Sequence, residues 1–384
     1  MRVAIVTETW PPEVNGVALT VQSLARGLAA LGHAVELVRP RQPRDMLEQP
    51  SAGPEQVLLP GGALPRYPGL RFGWPAHARL QRHWSRCRPD VLYIATEGPL
   101  GLSALGAARR LGLPACTGFH TRFDEFARHY HLGLLAPTVF AYLRRFHNRA
   151  SATLVPTREL VAFLAANGFA NPRLLRRAVD TALFRPERRD AALRAAWGLA
   201  PTDLGILHVG RIAPEKNLGL ALRAFRAIQR QSPRARLVLV GDGPARAELA
   251  RRHPDIVFAG VRRGDELARH YASGDLFLFP SLSETFGNVT LEALASGMPV
   301  VAFDYGAARE HLRERQAGIR VPRADGDAFV AAAAGLADEV RRCAEAGTQV
   351  LRHAARAAVA GLAPDDVSAH FAELLAALAA RRAA

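Results

Sequence analysis

Short apolar runs and longer amphipathic stretches alternate along this chain, and the alternation occurs twice. VAIVT (3–7) predicts a strand, followed by the loop ETWPPEVNG. Residues 17–31, VALTVQSLARGLAAL, then carry apolar positions at helical spacing. AVELVRP (34–40), DVLYIAT (90–96), PACTGFH (114–120) and ATLVPT (152–157) repeat the strand pattern, with helical segments such as PLGLSALGAARRLG and RELVAFLAANG between them. Residues 41–75 carry no pattern regular enough to assign.

After the polar connection RPERRDAALRAAWGLAP the pattern starts again. LGILHVG (204–210), ARLVLVGDG (235–243), IVFAGV (256–261), LFLFPS (276–281), PVVAFD (299–304) and AGIRV (317–321) predict strands, and NLGLALRAFRAIQRQ predicts a helix. The end, DDVSAHFAELLAALAARR, reads as a helix expected to pack back across the domain boundary. Strand–helix–strand alternation implies parallel sheets covered on both faces. The expected architecture is α/β, with two Rossmann-like doubly wound domains facing across a cleft. Their expected spans are 1–176 and 177–364, with 365–384 as the returning helix. Open sheets of this kind bind ligands at the carboxyl ends of their strands.

The 384 residues suit two domains, and nearly half of them are hydrophobic, as in a globular protein. No run approaches the roughly 20 apolar residues of a membrane span. MRVAIVTETW enters a strand without the layout of a secretory leader, so the expected location is cytoplasmic. Cys87, Cys116 and Cys343 are too few and too scattered for a disulfide framework or a zinc site. The net charge of +15 is uneven: residues 1–176 hold 21 arginines against 11 acids, the remainder 29 basic residues against 24. A basic first half, with arginine–aromatic clusters such as AYLRRFHNR (141–149), favours peripheral contact with an anionic membrane. No nucleic-acid-binding signature is present, so nucleic acid is not an expected partner.

Of the fifty basic side chains only Lys216 is a lysine. It lies in HVGRIAPEKN (208–217), five residues after Arg211 and across a turn containing Pro214. Two cations so placed can converge on one anion, and a diphosphate leaving group is the natural candidate. Lysine supplies a compact point charge on a flexible stem, whereas arginine's planar fork needs more room. The second junction, PSLSETFGNVTLEALASGMPVV, runs from a strand end through a polar loop into a helix starting near Asn288. Backbone N–H groups around Gly287, Asn288 and Val289 would form an anion site there. Glu284 on the loop can hold sugar hydroxyls, and Glu292 in the helix can accept from ribose hydroxyls. The third junction, GFHTRFDEF (118–126), presents His120, with Arg122 and Asp124 close in sequence. His129 and His131 alternate in RHYHLG, but no third ligand accompanies them, so no metal and no cofactor are expected. Gly16 precedes the first helix, where a bare backbone permits close approach to a phosphate, and GDGP (241–244) reads as a tight turn.

TETWPPEVNGV, GFHTRFDEF, VDTALFRP (179–186), HVGRIAPEKN and ETFGNVTLEALASGMPVVAFDYGAAREHL together resemble glycosyltransferase family 4, retaining enzymes of the GT-B fold. The resemblance spans most of the chain and is nearest to GDP-mannose-dependent α-mannosyltransferases and sulfoquinovosyl-lipid synthases. It implies that Arg211 and Lys216 grip the donor diphosphate and that Gly16 approaches the phosphates. Glu292 would hold the nucleotide ribose, Glu284 the donor sugar, and His120 would lie by the sugar's reacting face. Phe286, Gly287, Asn288 and Val289 would complete the donor site, and Val261 would border the nucleobase. The linker carries Ala178 where relatives carry glycine. The implied activity is transfer of a hexose from a nucleotide sugar to a lipid or glycan acceptor by front-face, metal-independent chemistry. A UDP-sugar-dependent transferase, a nucleotide-sugar 2-epimerase and a non-catalytic basic binding protein are the alternatives.

Overall fold

The computed structural model describes residues 1–13, 16–46, 54–63, 71–120, 136–282, 284, 286–312 and 317–380. The chain divides into two compact units: Met1–Ala178 together with Pro364–Ala384, and Val179–Ala363.

Among the described residues, nine strands belong to the first unit: β1 (Arg2–Val6), β2 (Ala34–Pro40), β3 (Glu55–Leu59), β4 (Gly61–Ala63), β5 (Arg71–Gly73), β6 (Val91–Ile94), β7 (Ala115–Gly118), β8 (Ala152–Val155) and β9 (Pro172–Leu174). Seven of them form one parallel sheet in the order β3-β2-β1-β6-β7-β8-β9. The strand order reverses between β1 and β6. The central strands are buried on both faces because helices cover both, which is why they read as unbroken apolar runs. Gly16–Ala30 and Pro364–Ala380 pack on one face with Tyr93 and Phe371 between them, the two rings edge to face at 5.0 Å. His77–Cys87 and Pro99–Arg110 cover the other face around Trp84. Within the patternless stretch 41–75 lie the edge strand β3 and the short antiparallel pair β4–β5. β3 opens on exposed Glu55 and Gln56 and so makes no unbroken apolar run, and β4 and β5, three residues each, are too short for periodicity to show.

Among its described residues the second unit has six parallel strands: β10 (Gly205–Val209), β11 (Arg236–Val240), β12 (Val257–Gly260), β13 (Leu276–Phe279), β14 (Val300–Phe303) and β15 (Gly318–Val321). Their order, β12-β11-β10-β13-β14-β15, is the 3-2-1-4-5-6 order of a dinucleotide-binding sheet. The reversal falls between β10 and β13, whose strand ends therefore flank a crevice in this unit. At the opposite end of the same two strands, buried Asp275 accepts from Arg194 and from the Gly205 N–H, each at 2.8 Å, and also pairs with Arg189 and Arg352. This network ties the linker region to the floor of the sheet and leaves the other end free for chemistry.

Candidate active site

β10 and β13 end beside each other at Val209 and Phe279, and the loops leaving them carry the candidate chemistry. The first loop closes with one 3-10 turn, Pro214–Lys216, after which Asn217 adopts φ +52° to start the helix Leu218–Gln231. The second loop joins the first where the Leu282 N–H donates to the Glu215 carbonyl at 3.0 Å. Lys216 Nζ donates to Glu284 Oε1, and Ser281 Oγ donates to the same carboxylate oxygen at 3.1 Å. Both charged side chains are largely enclosed, 17% and 19% exposed. The ammonium also lies 5.9 Å from the centre of the Phe279 ring. Beneath them His208 is fully buried and its Nδ1–H donates to the Leu278 carbonyl at 2.9 Å. Burial pushes the His208 pKa down to about 4, with the Lys216 charge adding to the shift, so the ring is neutral.

The structure thus brings Lys216 to Glu284. The Arg211 side chain is 60% exposed and, among the described residues, pairs only with Glu215 at 3.9 Å. A flexible ammonium settles on the nearest carboxylate, whereas the guanidinium at 211 stays in water.

The helix Asn288–Ala295 begins at Gly287, whose φ of +89° only glycine adopts at little cost, and among the described residues no side chain caps it. Its first N–H groups carry the positive end of the helix dipole. Buried Phe286 holds this start in place through its carbonyl, which accepts from the Ala307 N–H at 2.7 Å. Val289 lies in the first turn and packs partly into the core. One turn on, Glu292 Oε2 accepts from Tyr271 Oη at 2.8 Å, and burial raises the carboxyl against that bond. Val261, just beyond β12, is an exposed large apolar side chain, 57% accessible.

The 210–212 loop is supported from behind by the GDG segment that follows β11. A Cβ on Gly241 would stand 1.9 Å from the Gly210 carbonyl oxygen, and one on Gly243 would stand 2.3 Å from that of Ile212. Glycine is required at both positions because backbone meets backbone there. The hydrogen-bonded turn spans Gly243–Arg246, where the Arg246 N–H donates to the Gly243 carbonyl at 3.1 Å, and Gly241 and Gly243 support the Arg211 loop.

In the first unit Gly16 opens the helix after β1 and is exposed, while Asn15 lies outside the described residues. His120, after β7, is buried with both ring nitrogens engaged. Arg177 donates to Nδ1 at 2.7 Å, so Nε2 carries the proton and donates to Tyr93 Oη, also at 2.7 Å. Burial and the Arg177 charge hold the ring's pKa well below the usual histidine range. Arg122, Asp124, His129 and His131 lie outside the described residues. Sequence reasoning missed Tyr93, Arg177, Tyr271 and Ser281. A polar side chain inside the apolar run DVLYIAT was a signal for Tyr93, whereas Tyr271 gave none.

A dinucleotide-type sheet with a cation, a carboxylate and an uncapped helix start at its reversal point is suited to holding a sugar diphosphate. Residues 14–183 match a family model described as Glycosyltransferase Family 4, and residues 203–339 match one described as Glycosyl transferases group 1. The chain is 36% identical to the GDP-mannose-dependent alpha-mannosyltransferase of Mycobacterium tuberculosis (strain CDC 1551 / Oshkosh), with 84% of each chain covered. It is 37% identical to the GDP-mannose-dependent alpha-mannosyltransferase of Mycolicibacterium smegmatis (strain ATCC 700084 / mc(2)155), covering 83% of this chain and 84% of that one. Among solved structures, HepE of Anabaena in complex with UDP superposes with a TM-score of 0.75 at 19% identity, covering 98% and 100% of the two chains. The fold is that of the two-domain GT-B class, and the family matches make the chain a hexosyltransferase. The chain belongs to glycosyltransferase family 4. Among the described residues no helix is long and apolar enough to cross a membrane.

Proposed function

We propose that the protein transfers mannose from GDP-mannose to a lipid or lipid-linked acceptor, with retention at the anomeric carbon. The observation that carries this reading is the Lys216–Glu284 pair, set between two strand ends beside an uncapped helix start. The donor is inferred from relatives named for GDP-mannose at 36% and 37% identity. In the proposed reaction the acceptor hydroxyl oxygen attacks the anomeric carbon on the face from which the diphosphate leaves. The bond from carbon to phosphate oxygen breaks with its electron pair going to GDP, and a departing phosphate oxygen takes the acceptor's proton. Lys216, Arg211 and the N–H groups at 287–289 would stabilise the developing charge, the task a divalent cation performs in other transferases. Glu284 would hold sugar hydroxyls, Glu292 the ribose, Val261 the base and Gly16 the phosphates. His120, neutral and fixed on both nitrogens, would border the sugar as a shaped wall and not as a proton donor.

The test is incubation of the purified protein with GDP-mannose or UDP-glucose, with and without a lipid extract. Mannosylated lipid from GDP-mannose supports the reading. Transfer only from UDP-glucose would replace the donor, and an epimerised sugar formed without acceptor would replace the reaction class. The acceptor assignment also predicts contact with anionic membrane through the basic first half, which exposes Trp74 and Tyr142. Failure to float with anionic liposomes at low salt would remove that part of the reading.

A further inference from the structure

Glu36 points from the middle of β2 toward the helix His77–Cys87, in a strand that is buried from Val35 to Pro40. The carboxylate is buried, and its Oε1 accepts from Trp84 Nε1 at 2.8 Å. Its Oε2 lies 2.6 Å from His83 Nε2, and the same ring nitrogen lies 3.3 Å from Cys87 Sγ. Sγ and Oε2 are 4.0 Å apart. A hydrogen-bonded Glu–His pair is a common way to bury a carboxylate. It does not require a thiol one helical turn further on, converging on the same nitrogen.

The geometry points to a metal-binding site at Glu36, His83 and Cys87 that takes a zinc-like divalent ion, with water as fourth ligand. A tetrahedral zinc ion with bonds of about 2.0–2.3 Å holds its ligand atoms roughly 3.5 Å apart. The sulfur–nitrogen and sulfur–oxygen separations already lie near that value, and the Glu–His contact has to open by about 0.8 Å as the ion replaces a shared proton. One nitrogen, one sulfur and one carboxylate oxygen form a borderline-soft set that suits zinc or cobalt better than magnesium or calcium. His83 and Cys87 are four residues apart on a helix and share one face, and His83 is 31% exposed, which leaves an entry path. Trp84 Nε1 fixes the carboxylate from behind, the supporting hydrogen bond that metal ligands ordinarily receive. Arg2 Nη1 donates to the Cys87 carbonyl at 2.7 Å, and Arg88 turns left-handed at φ 31°, so the helix ends where the third ligand stands. The ion would pin this helix to β2. With a single cysteine the site has no cysteine spacing to reveal it.

The experiment titrates the full chain, stripped with a chelator, with Co(II) alone. The expected result is one ion per chain, a sulfur-to-cobalt charge-transfer band with tetrahedral d–d bands, and loss of both on adding Zn(II). Cys87→Ser should abolish the charge-transfer band, and Cys343→Ser should leave it intact. Zn(II) at a hundred times its Kd should shift the folding equilibrium of the wild type about 100-fold, read as a rise in Tm, and leave Cys87→Ser unmoved. No charge-transfer band in the wild type, or an equal band in Cys87→Ser, overturns the site. The wild-type titration decides without relying on a variant that folds. No residue of the proposed donor site takes part, so failure here leaves the transferase reading where it stands.

Discussion

Lys216 is the single ammonium among fifty basic side chains, and it lies on Glu284 beside the Phe279 ring. That enclosure gives its identity a physical reason, since a guanidinium brings a wider planar fork into a space fitted to a point charge. Lys216→Ala is expected to lower kcat about 10²–10³-fold, the usual effect of losing one charge-stabilising contact. Lys216→Arg should recover only part of that loss, and full activity in the arginine variant would show that charge alone suffices. Glu8 provides a test through pH. It stands just after β1, buried, with its Oε1 accepting from the Leu100 N–H at 2.8 Å, and burial pushes its pKa from 4.5 up to about 7. The folded state therefore keeps a proton that the unfolded chain loses near pH 4.5. Stability from this group is fully present below that pH and is lost as pH rises through about 7. Glu8→Gln should accordingly stabilise the protein by up to about 3 kcal/mol at pH 8 and by little at pH 4, measured by urea unfolding. Equal effects at both pH values would contradict the burial argument. At this scale the sequence shows which residues are unusual but not their partners. Glu292 stands out within a helix, yet Tyr271, which holds it, is 21 residues away on another helix. His120 stands out after a strand, yet Arg177, which fixes its tautomer, is 57 residues away.

At the scale of elements, the strands that read clearly are those buried on both faces, because an unbroken apolar run is its own signal. β10 and β13 belong to this group, so the loops bearing Arg211, Lys216 and Glu284 were placed correctly at strand ends from sequence alone. The half-exposed β3 was not legible because it makes no unbroken apolar run, and β4, β5 and β9 were not because neither alternation nor a run can develop over three positions. The GDG segment is an intermediate case, its conformation local and its packing tertiary. Gly243→Ala would push a methyl group against the Ile212 carbonyl, with no flexible side chain to give way. A cost of about 1–3 kcal/mol is expected, together with reduced transfer as the Arg211 loop shifts. Gly219 is the matched control, because a Cβ there meets nothing within 4 Å on the helix Leu218–Gln231. Gly219→Ala should stabilise by about 0.5–1 kcal/mol and leave transfer unchanged. Should Gly243→Ala match this control in both stability and turnover, the GDG segment has no supporting role.

At the scale of the molecule, the first unit is discontinuous in sequence. The apolar spacing of DDVSAHFAELLAALAARR predicts a helix, but its docking depends on a fit that no local pattern reveals. Gly27, far earlier in the chain, lacks a side chain where one would stand 1.8 Å from Ser368 Oγ, and so the two helices approach closely. Phe371, Leu375 and Leu378 are buried there against Leu24, Leu28 and Tyr93. Burying each large apolar side chain contributes about 1.5–3 kcal/mol. Three such residues, and the surfaces they cover, approach the 5–15 kcal/mol that typically holds a whole domain. Ending the chain at Ala363 should therefore unfold the first unit while the second, Val179–Ala363, retains its own sheet and core. Limited proteolysis read by mass spectrometry would show this as rapid cleavage within 1–178 and survival of a fragment near 179–363. Equal protection of both fragments would mean that the last helix is an accessory of the first unit, and that the sheet β3-β2-β1-β6-β7-β8-β9 is stable with one face only partly covered. The site predicts a further consequence of the same truncation. Thermal stabilisation by GDP, whose proposed contacts lie mainly on the second unit, should persist when transfer is lost. Its disappearance together with activity would move the nucleotide contacts to the first unit.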